Sequence, residues 1–370
     1  MDADFRNYLA VLEKVQPIVQ REQVTQSTDI NENQVGRSGA FDFMFEASPS
    51  LIRELRRHCH HISGAREADY GPDQKERRGP FKQKLKRLVK VGGRDILVTE
   101  SPALGGFGFR VDGELYNLDT LKFYEAMIAI RRGAILGDFI ESVDRRTVVE
   151  INAEWGGFAY SFKTLCPNTT YVIVDRPEKF LFSAVYLMNR FPKAVMRFVQ
   201  EDSDTPSKHV FQEIDFLFVP ESCFEALHPE RLDLVVNLLS FERKPTSKIE
   251  AYLRWAYELQ CPFVYSFNRD HNPPTKTWRA SLTSSGKPTG RTTFRSCPST
   301  LTRCSTVSYA ASHCAQGFNG GTRNVASIAT SLVGAACSYS LIIALVNNGR
   351  DPKRRQRPES ALQLGQQKRV

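Results

Sequence analysis

The sequence predicts a doubly wound α/β fold with a mostly parallel sheet, preceded by a helical and hairpin region and followed by an irregular tail. Three observations carry this. Between residues 147 and 270, short apolar runs alternate with stretches of helical periodicity. Those runs lack polar alternation, as strands covered on both faces do. Acidic residues then vanish beyond Asp270 until Asp351, which gives the strand–helix rhythm a visible end. In such sheets the crossovers are right-handed and ligands bind at the carboxyl ends of the strands.

Composition bounds the function. The chain has 370 residues, enough for two domains or for one with appendages. Its 41% hydrophobic and 25% charged residues are those of a soluble globular protein. The net charge of +9 is unevenly placed: residues 271–370 hold 14 Lys or Arg against two acidic residues, leaving 36 basic and 39 acidic residues in 1–270. A protein that grips a phosphate backbone needs positive charge on its folded surface, so a nucleic-acid partner is disfavoured. The eight cysteines form no CxxC pair, and the opening MDADFRNYLAVLEK has no signal-peptide apolar run. Reduced cysteines in a cytoplasmic protein are expected.

Residues 1–140 read as the helical and hairpin region. Phe5, Leu9, Leu12 and Val15 have helical spacing, and residues 21–48 are polar and carry no clear signal. Pro49 to His61 reads as a second amphipathic helix ending in Arg56-Arg57-His58-Cys59-His60-His61. That cluster invites zinc, but neighbouring helical residues diverge and no second ligand pair follows, so a solvated basic helix end is the better reading. Residues 66–94 are highly charged and read as a surface segment. Phe107 to Tyr116 alternates around Asp112-Gly113, a hairpin with a type I′ turn. Asn117 or Asp119 then caps a helix with an apolar stripe at Leu121, Tyr124, Met127, Ile128 and Leu136.

Residues 141–270 are the α/β domain. Strands are expected at 148–151, 171–175, 215–219, 232–238 and 262–267, and helices at 158–165, 178–189 and about 246–260. Residues 271–370 form a basic, acid-poor tail with no strand–helix rhythm, so the α/β sheet is expected to be truncated. The tail is either a disordered segment or an out-of-frame translation, and its cysteine content favours the second. Within it, the uncharged run 325–346 ahead of Lys353-Arg354-Arg355 has the length of a membrane span, but its Ser, Thr and Gly content makes it a weak one.

The informative stretch is Val148-Val-Glu-Ile-Asn-Ala-Glu-Trp-Gly-Gly-Phe-Ala159. A strand ending in Glu150 turns through small residues into a helix at Gly156-Gly157, so backbone N–H groups can face a ligand. About 20 residues on, Asp175 ends the next strand, where a carboxylate can accept both ribose hydroxyls of an adenosine cofactor. A dinucleotide needs G-x-G-x-x-G for its pyrophosphate, which is absent. A sulfonium cofactor has no phosphate and suits the acidic strand end better. Ordinary core strands with an exposed turn are the bland alternative.

VVEINAEWGGFA resembles motif I of class I methyltransferases, usually E-x-G-x-G-x-G. Residues from about 100 to 270 resemble the sugar O-methyltransferase family, through VVEINAEWGGFAYSFKTLCPNTTYVIVDRPE, LFSAVYLM, FLFVPESCFEALHPERLDLVVNLLSF and AYELQCPFVYSFNRD. The resemblance implies a Rossmann-like methyltransferase sheet, S-adenosyl-L-methionine as cofactor and a small-molecule sugar or glycan as substrate. It assigns Glu150, Asn152, Glu154 and Gly156 to the cofactor loop and Asp175 to the ribose. It also turns Asn237, with Ser240 and Glu242 just beyond, toward the reacting centre. Loop capping by Asn237 and Ser240 is an equal alternative, and Glu221, Glu242 and His228 are weak candidates for a base. No metal site is implied.

Two departures stand out. The family pattern has Gly where this chain has Asn152 and Glu154, and Glu154 adds a side chain where the cofactor should meet bare backbone. The closing reversed strand and hairpin of the methyltransferase sheet are also not legible after Asp270. Two rivals follow: a methyltransferase-fold protein without catalysis, and a NAD-dependent sugar oxidoreductase.

Overall fold

A computed structural model describes residues 2–28 and 38–269 and, beyond them, the strands 307–311, 326–330 and 338–344. The chain opens with α1 (Ala3–Thr28), then three short helices α2 (Pro49–Arg53), α3 (Leu55–His58) and α4 (His60–Ser63), and the longer α5 (Lys75–Gly92). The single amphipathic helix expected over 49–61 is thus broken in three. It is broken at Glu54 and Cys59, which serve as caps between the pieces. The hairpin β1 (Phe109–Val111) and β2 (Glu114–Tyr116) turns on Asp112 and Gly113, both at positive φ, as a primed turn requires. Asn117 caps α6 (Leu118–Arg132) in a reciprocal capping box with Thr120. A short α7 (Leu136–Ile140) follows.

The α/β region runs β3 (Arg146–Ile151), α8 (Gly157–Leu165), β4 (Thr169–Asp175), α9 (Phe180–Arg190), β5 (Met196–Phe198), β6 (Phe216–Pro220), β7 (Leu234–Leu238), α10 (Thr246–Glu258) and β8 (Phe263–Arg269). Only β5, a three-residue edge strand with half-buried side chains, escapes the sequence pattern. Six parallel strands lie in the order β5-β6-β4-β3-β7-β8. One face packs Val148, Tyr171, Ile173, Phe218 and Val236 under α8, α9, α6 and α1. The other packs Val149, Val172, Val174, Leu217 and Val235 under Tyr252, Trp255 and Ala256 of α10. Residues of the N-terminal region, from Tyr8 and Val15 to Met127, belong to the first of these clusters.

Three further strands lie beyond residue 269. Strands β9 (Val307–Ala311), β10 (Ala326–Thr330) and β11 (Ser338–Ala344) extend the sheet, with β11 antiparallel to β8 from Ser338↔Arg269 to Ala344↔Phe263. Strand β10 pairs with β11 and β9 with β10, both antiparallel. Within the uncharged run 325–346, read as a weak membrane span, the described residues are those of β10 and β11. Among the described residues no helix is long and apolar enough to cross a membrane. These strands went unread because Ser, Ala and Thr dilute their apolar residues. The rest of 271–370 lies outside the described residues.

Candidate functional site

At the carboxyl end of β3 the chain bends through Asn152, Ala153, Glu154 and Trp155 into α8. Asn152, Glu154 and Gly156 have φ of 61°, 58° and 81°. The left-handed alternation that glycines would serve is therefore kept with two side-chain-bearing residues. Such a backbone costs L-residues roughly 1–2 kcal/mol, less for Asn. Hydrogen bonds hold it in place. The Asn152 N–H donates to Val174 O (2.8 Å), that of Gly156 to Ala153 O (2.9 Å), and that of Glu154 to Asp175 Oδ2 (3.1 Å). Asn152 Oδ1 is buried without a partner among the described residues. Gly156 lies so near α9 that an added Cβ would meet Ser183 Cβ at 3.1 Å.

Three carboxylates surround this bend. Glu150 is buried beneath it and accepts the Tyr171 hydroxyl at 2.8 Å. Burial pushes its pKa up to about 8, and the neighbouring Glu154 and Asp175 carboxylates add to this against the Tyr171 hydrogen bond and Lys122. Asp175, also buried, accepts the Arg176 N–H (2.8 Å) and pairs with Lys179 Nζ (3.0 Å) in addition to the loop N–H. Glu154 turns toward α6 and pairs with Lys122 Nζ at 3.1 Å.

Lys122 belongs to a buried ionic network that sequence reasoning missed. Arg56, wholly buried, donates to Glu100 Oε1 and Asp119 Oδ2, each at 2.8 Å. Asn117 donates to Glu100 Oε2 (2.8 Å) and the Trp155 indole to Asp119 Oδ2 (3.2 Å). The Arg56 guanidinium lies 3.8 Å from the Trp155 ring centroid. Arg56 was expected on a solvated helix end; instead it ties α3 to α6 and to the bend. Cys59 also faces inward, donating to Leu55 O. Arg56 and Cys59 are one helical turn apart at i, i+3, and that spacing was the available signal.

At the end of β7, Asn237 is wholly buried and its amide donates to Ile151 O (3.4 Å) and to Ser240 Oγ. Ser240 Oγ donates to the same carbonyl, and the Phe241 N–H returns to Asn237 Oδ1, each at 3.4 Å. The pair clasps the β7 loop to the end of β3, with Leu239 at φ 60° between them. Glu242 is half-buried in the following short turn and His228 is exposed. An open depression of about 450 Å³ lies beside these strand ends, lined by Glu221, Arg243, Lys244, Pro245, Ser247 and Lys248. Burial would raise the pKa of Glu221, but hydrogen bonds from Lys244 (2.6 Å) and Tyr252 (2.9 Å) outweigh it and hold the carboxyl below its ordinary range.

Six parallel strands with a reversed strand beside β8, and a tight left-handed bend at the end of β3, define the class: a Rossmann-like α/β fold. No protein-family model matches the sequence, and no curated protein sequence matches it. Among solved structures, the chain is similar to the methyltransferase domain of METTL16 (8% identity, 86% of this chain and 97% of that one, TM-score 0.37). It is also similar to a Pyrococcus horikoshii protein assigned as an RNA methyltransferase (14%, 71% and 98%, TM-score 0.35). A third is the precorrin-6y C5,15-methyltransferase of Geobacter metallireducens (13%, 58% and 87%, TM-score 0.29). All three likenesses are distant.

Proposed function

We propose that this chain is an S-adenosylmethionine-dependent O-methyltransferase acting on a sugar hydroxyl. The observation that supports it most is the bend between Ile151 and Gly157, with left-handed residues at 152, 154 and 156 and the Glu154 N–H bonded to the carboxylate of Asp175. The residues present fit the cofactor. Asn152 Oδ1, buried and unpartnered, can accept a hydrogen bond from the cofactor's amino group. Asp175 stands at the neighbouring strand end, where a carboxylate accepts ribose hydroxyls once Lys179 swings aside. The Glu154 carboxylate, balanced by Lys122, repels the cofactor's own carboxylate less than an isolated charge would. Glu150 and Tyr171 floor the bend, and Gly156 seats it against α9.

Bound there, the cofactor supplies a methyl group activated on a sulfonium. The chain's part is to hold an acceptor oxygen in line with that methyl and to exclude water. Asn237 and Ser240 are positioning residues that keep the β7 loop against β3. The sugar class is supported by the resemblance of residues 100–270 and by the depression at Glu221, Arg243 and Ser247, whose polar groups suit a polyol. Glu221, held ionised by Lys244 and Tyr252, is a weak base, so alignment carries more of the reaction than deprotonation.

Equilibrium dialysis with labelled S-adenosylmethionine tests the reading. Micromolar binding that Asp175→Ala weakens at least about tenfold, or 1.4 kcal/mol, is expected. No binding at millimolar concentration would leave a methyltransferase fold without its chemistry. Fluorescence titration with NADH should be flat; saturable binding would favour the oxidoreductase.

A further inference from the structure

The sequence disfavoured nucleic acid because residues 1–270 are close to neutral, but folding segregates that charge. Helix α5 carries eight Lys or Arg against the single Glu76. Without its net +7, the rest of residues 1–270 carries −10. Its inner face, Phe81, Leu85 and Leu88, is buried, and Lys75, Arg78, Lys82, Lys86, Arg87 and Lys90 are exposed. Lys84 and Arg77 pair with Glu125 and Asp69, whereas those six make no ion pair among the described residues.

This arrangement does not serve the helix itself. Lys75, Arg77 and Arg78 occupy the first turn, where the helix dipole disfavours cations. Arg78, Lys82, Lys86 and Lys90 follow at i, i+4, where like charges repel. They form a ridge of about 6 Å steps running roughly 22 Å from Lys75 to Lys90. At its start lies a depression of about 310 Å³ lined by Tyr70, Lys75, Arg78, Phe109 and Arg110.

We propose that α5 and this depression dock the phosphate backbone of single-stranded nucleic acid. Regularly spaced cations along one helix are the electrostatic footprint of a phosphate chain. The half-buried ring of Tyr70 beside them suits an unstacked base, which a duplex does not offer. A membrane surface fits less well, because the apolar face of α5 is already buried in the protein and cannot insert. The inference is independent of methyl transfer and needs no cofactor.

The test is fluorescence anisotropy of the full chain with a labelled oligouridylate of about 20 nucleotides, long enough for the whole ridge. Six phosphate contacts predict an affinity loss on the order of 10²–10³ between about 50 and 200 mM salt. Lys82→Glu/Lys86→Glu/Lys90→Glu should weaken binding at least about tenfold and lower the salt slope by roughly two. The corresponding triple Gln variant should show an intermediate loss with an unchanged melting temperature, which separates charge from misfolding. A control reverses Lys353, Arg354, Arg355 and Arg357 in the basic tail. Binding lost only with that control, or unchanged by the α5 substitutions, overturns the proposal. So does binding to heparin with none to the oligonucleotide.

Discussion

Glu150 lies under the bend with its carboxyl against the Tyr171 hydroxyl, and burial holds its pKa up to about 8. The unfolded chain releases this proton near the ordinary glutamate value while the folded protein retains it. Stability from this group is therefore complete below about pH 4.3 and is lost as pH rises toward about 8, by up to about 1.4 kcal/mol per unit. Urea midpoints at pH 5.5, 6.5 and 7.5 should fall steadily in the wild type. Glu150→Gln, which cannot titrate, should flatten that fall; an equal slope in both proteins would show that Glu150 is ionised in the fold. The bend itself was legible in the sequence, since an acidic strand end, a tight turn and a second acidic strand end are local features. What Glu154 does was not. Its partner Lys122 is 32 positions away, and only the packing of α6 over the bend brings the two together. Asp175 was legible as a strand-end carboxylate, whereas its ion pair with Lys179, at i, i+4 through the start of α9, was the part overlooked.

Helices α3 and α6 are joined to each other and to the bend by Arg56, through Glu100, Asp119 and the face of Trp155. Removing one member of such a buried set leaves opposite charges uncompensated, which costs far more than the set contributes over an apolar replacement. Arg56→Met should therefore destabilise by about 3–5 kcal/mol. Adding Glu100→Gln and Asp119→Asn should restore part of that, because the three sites share partners and are not additive. Denaturant midpoints of the single and triple variants measure this. A loss under about 1 kcal/mol for Arg56→Met would mean that apolar packing alone joins these helices. Apart from β5, the strands of residues 147–269 were readable because each is a run of apolar residues covered on both sides, and periodicity reports that directly. Helix boundaries over 49–63 were not, because breaks at Glu54 and Cys59 leave the apolar spacing nearly intact.

Across the whole molecule, the sheet depends on residues far along the chain for its last edge. Strand β8 pairs with β7 on one side and, over all seven of its residues, with β11 on the other. Val264, Tyr265 and Phe267 of β8 are buried, so an unpaired β8 would combine open backbone groups with an apolar surface, the features that drive edge-to-edge association. A chain ending at residue 306 would lack β9, β10 and β11, whereas one ending at residue 349 keeps all three. The shorter chain should associate with rising concentration and melt at a lower temperature, and the longer one should match the full protein. Light scattering and thermal melts at two concentrations decide it. If the shorter chain stays monodisperse with an unchanged melting temperature, the six parallel strands are sufficient in themselves. The long return from β8 to β11 would then be dispensable to the fold, and the site at the end of β3 could be studied without it.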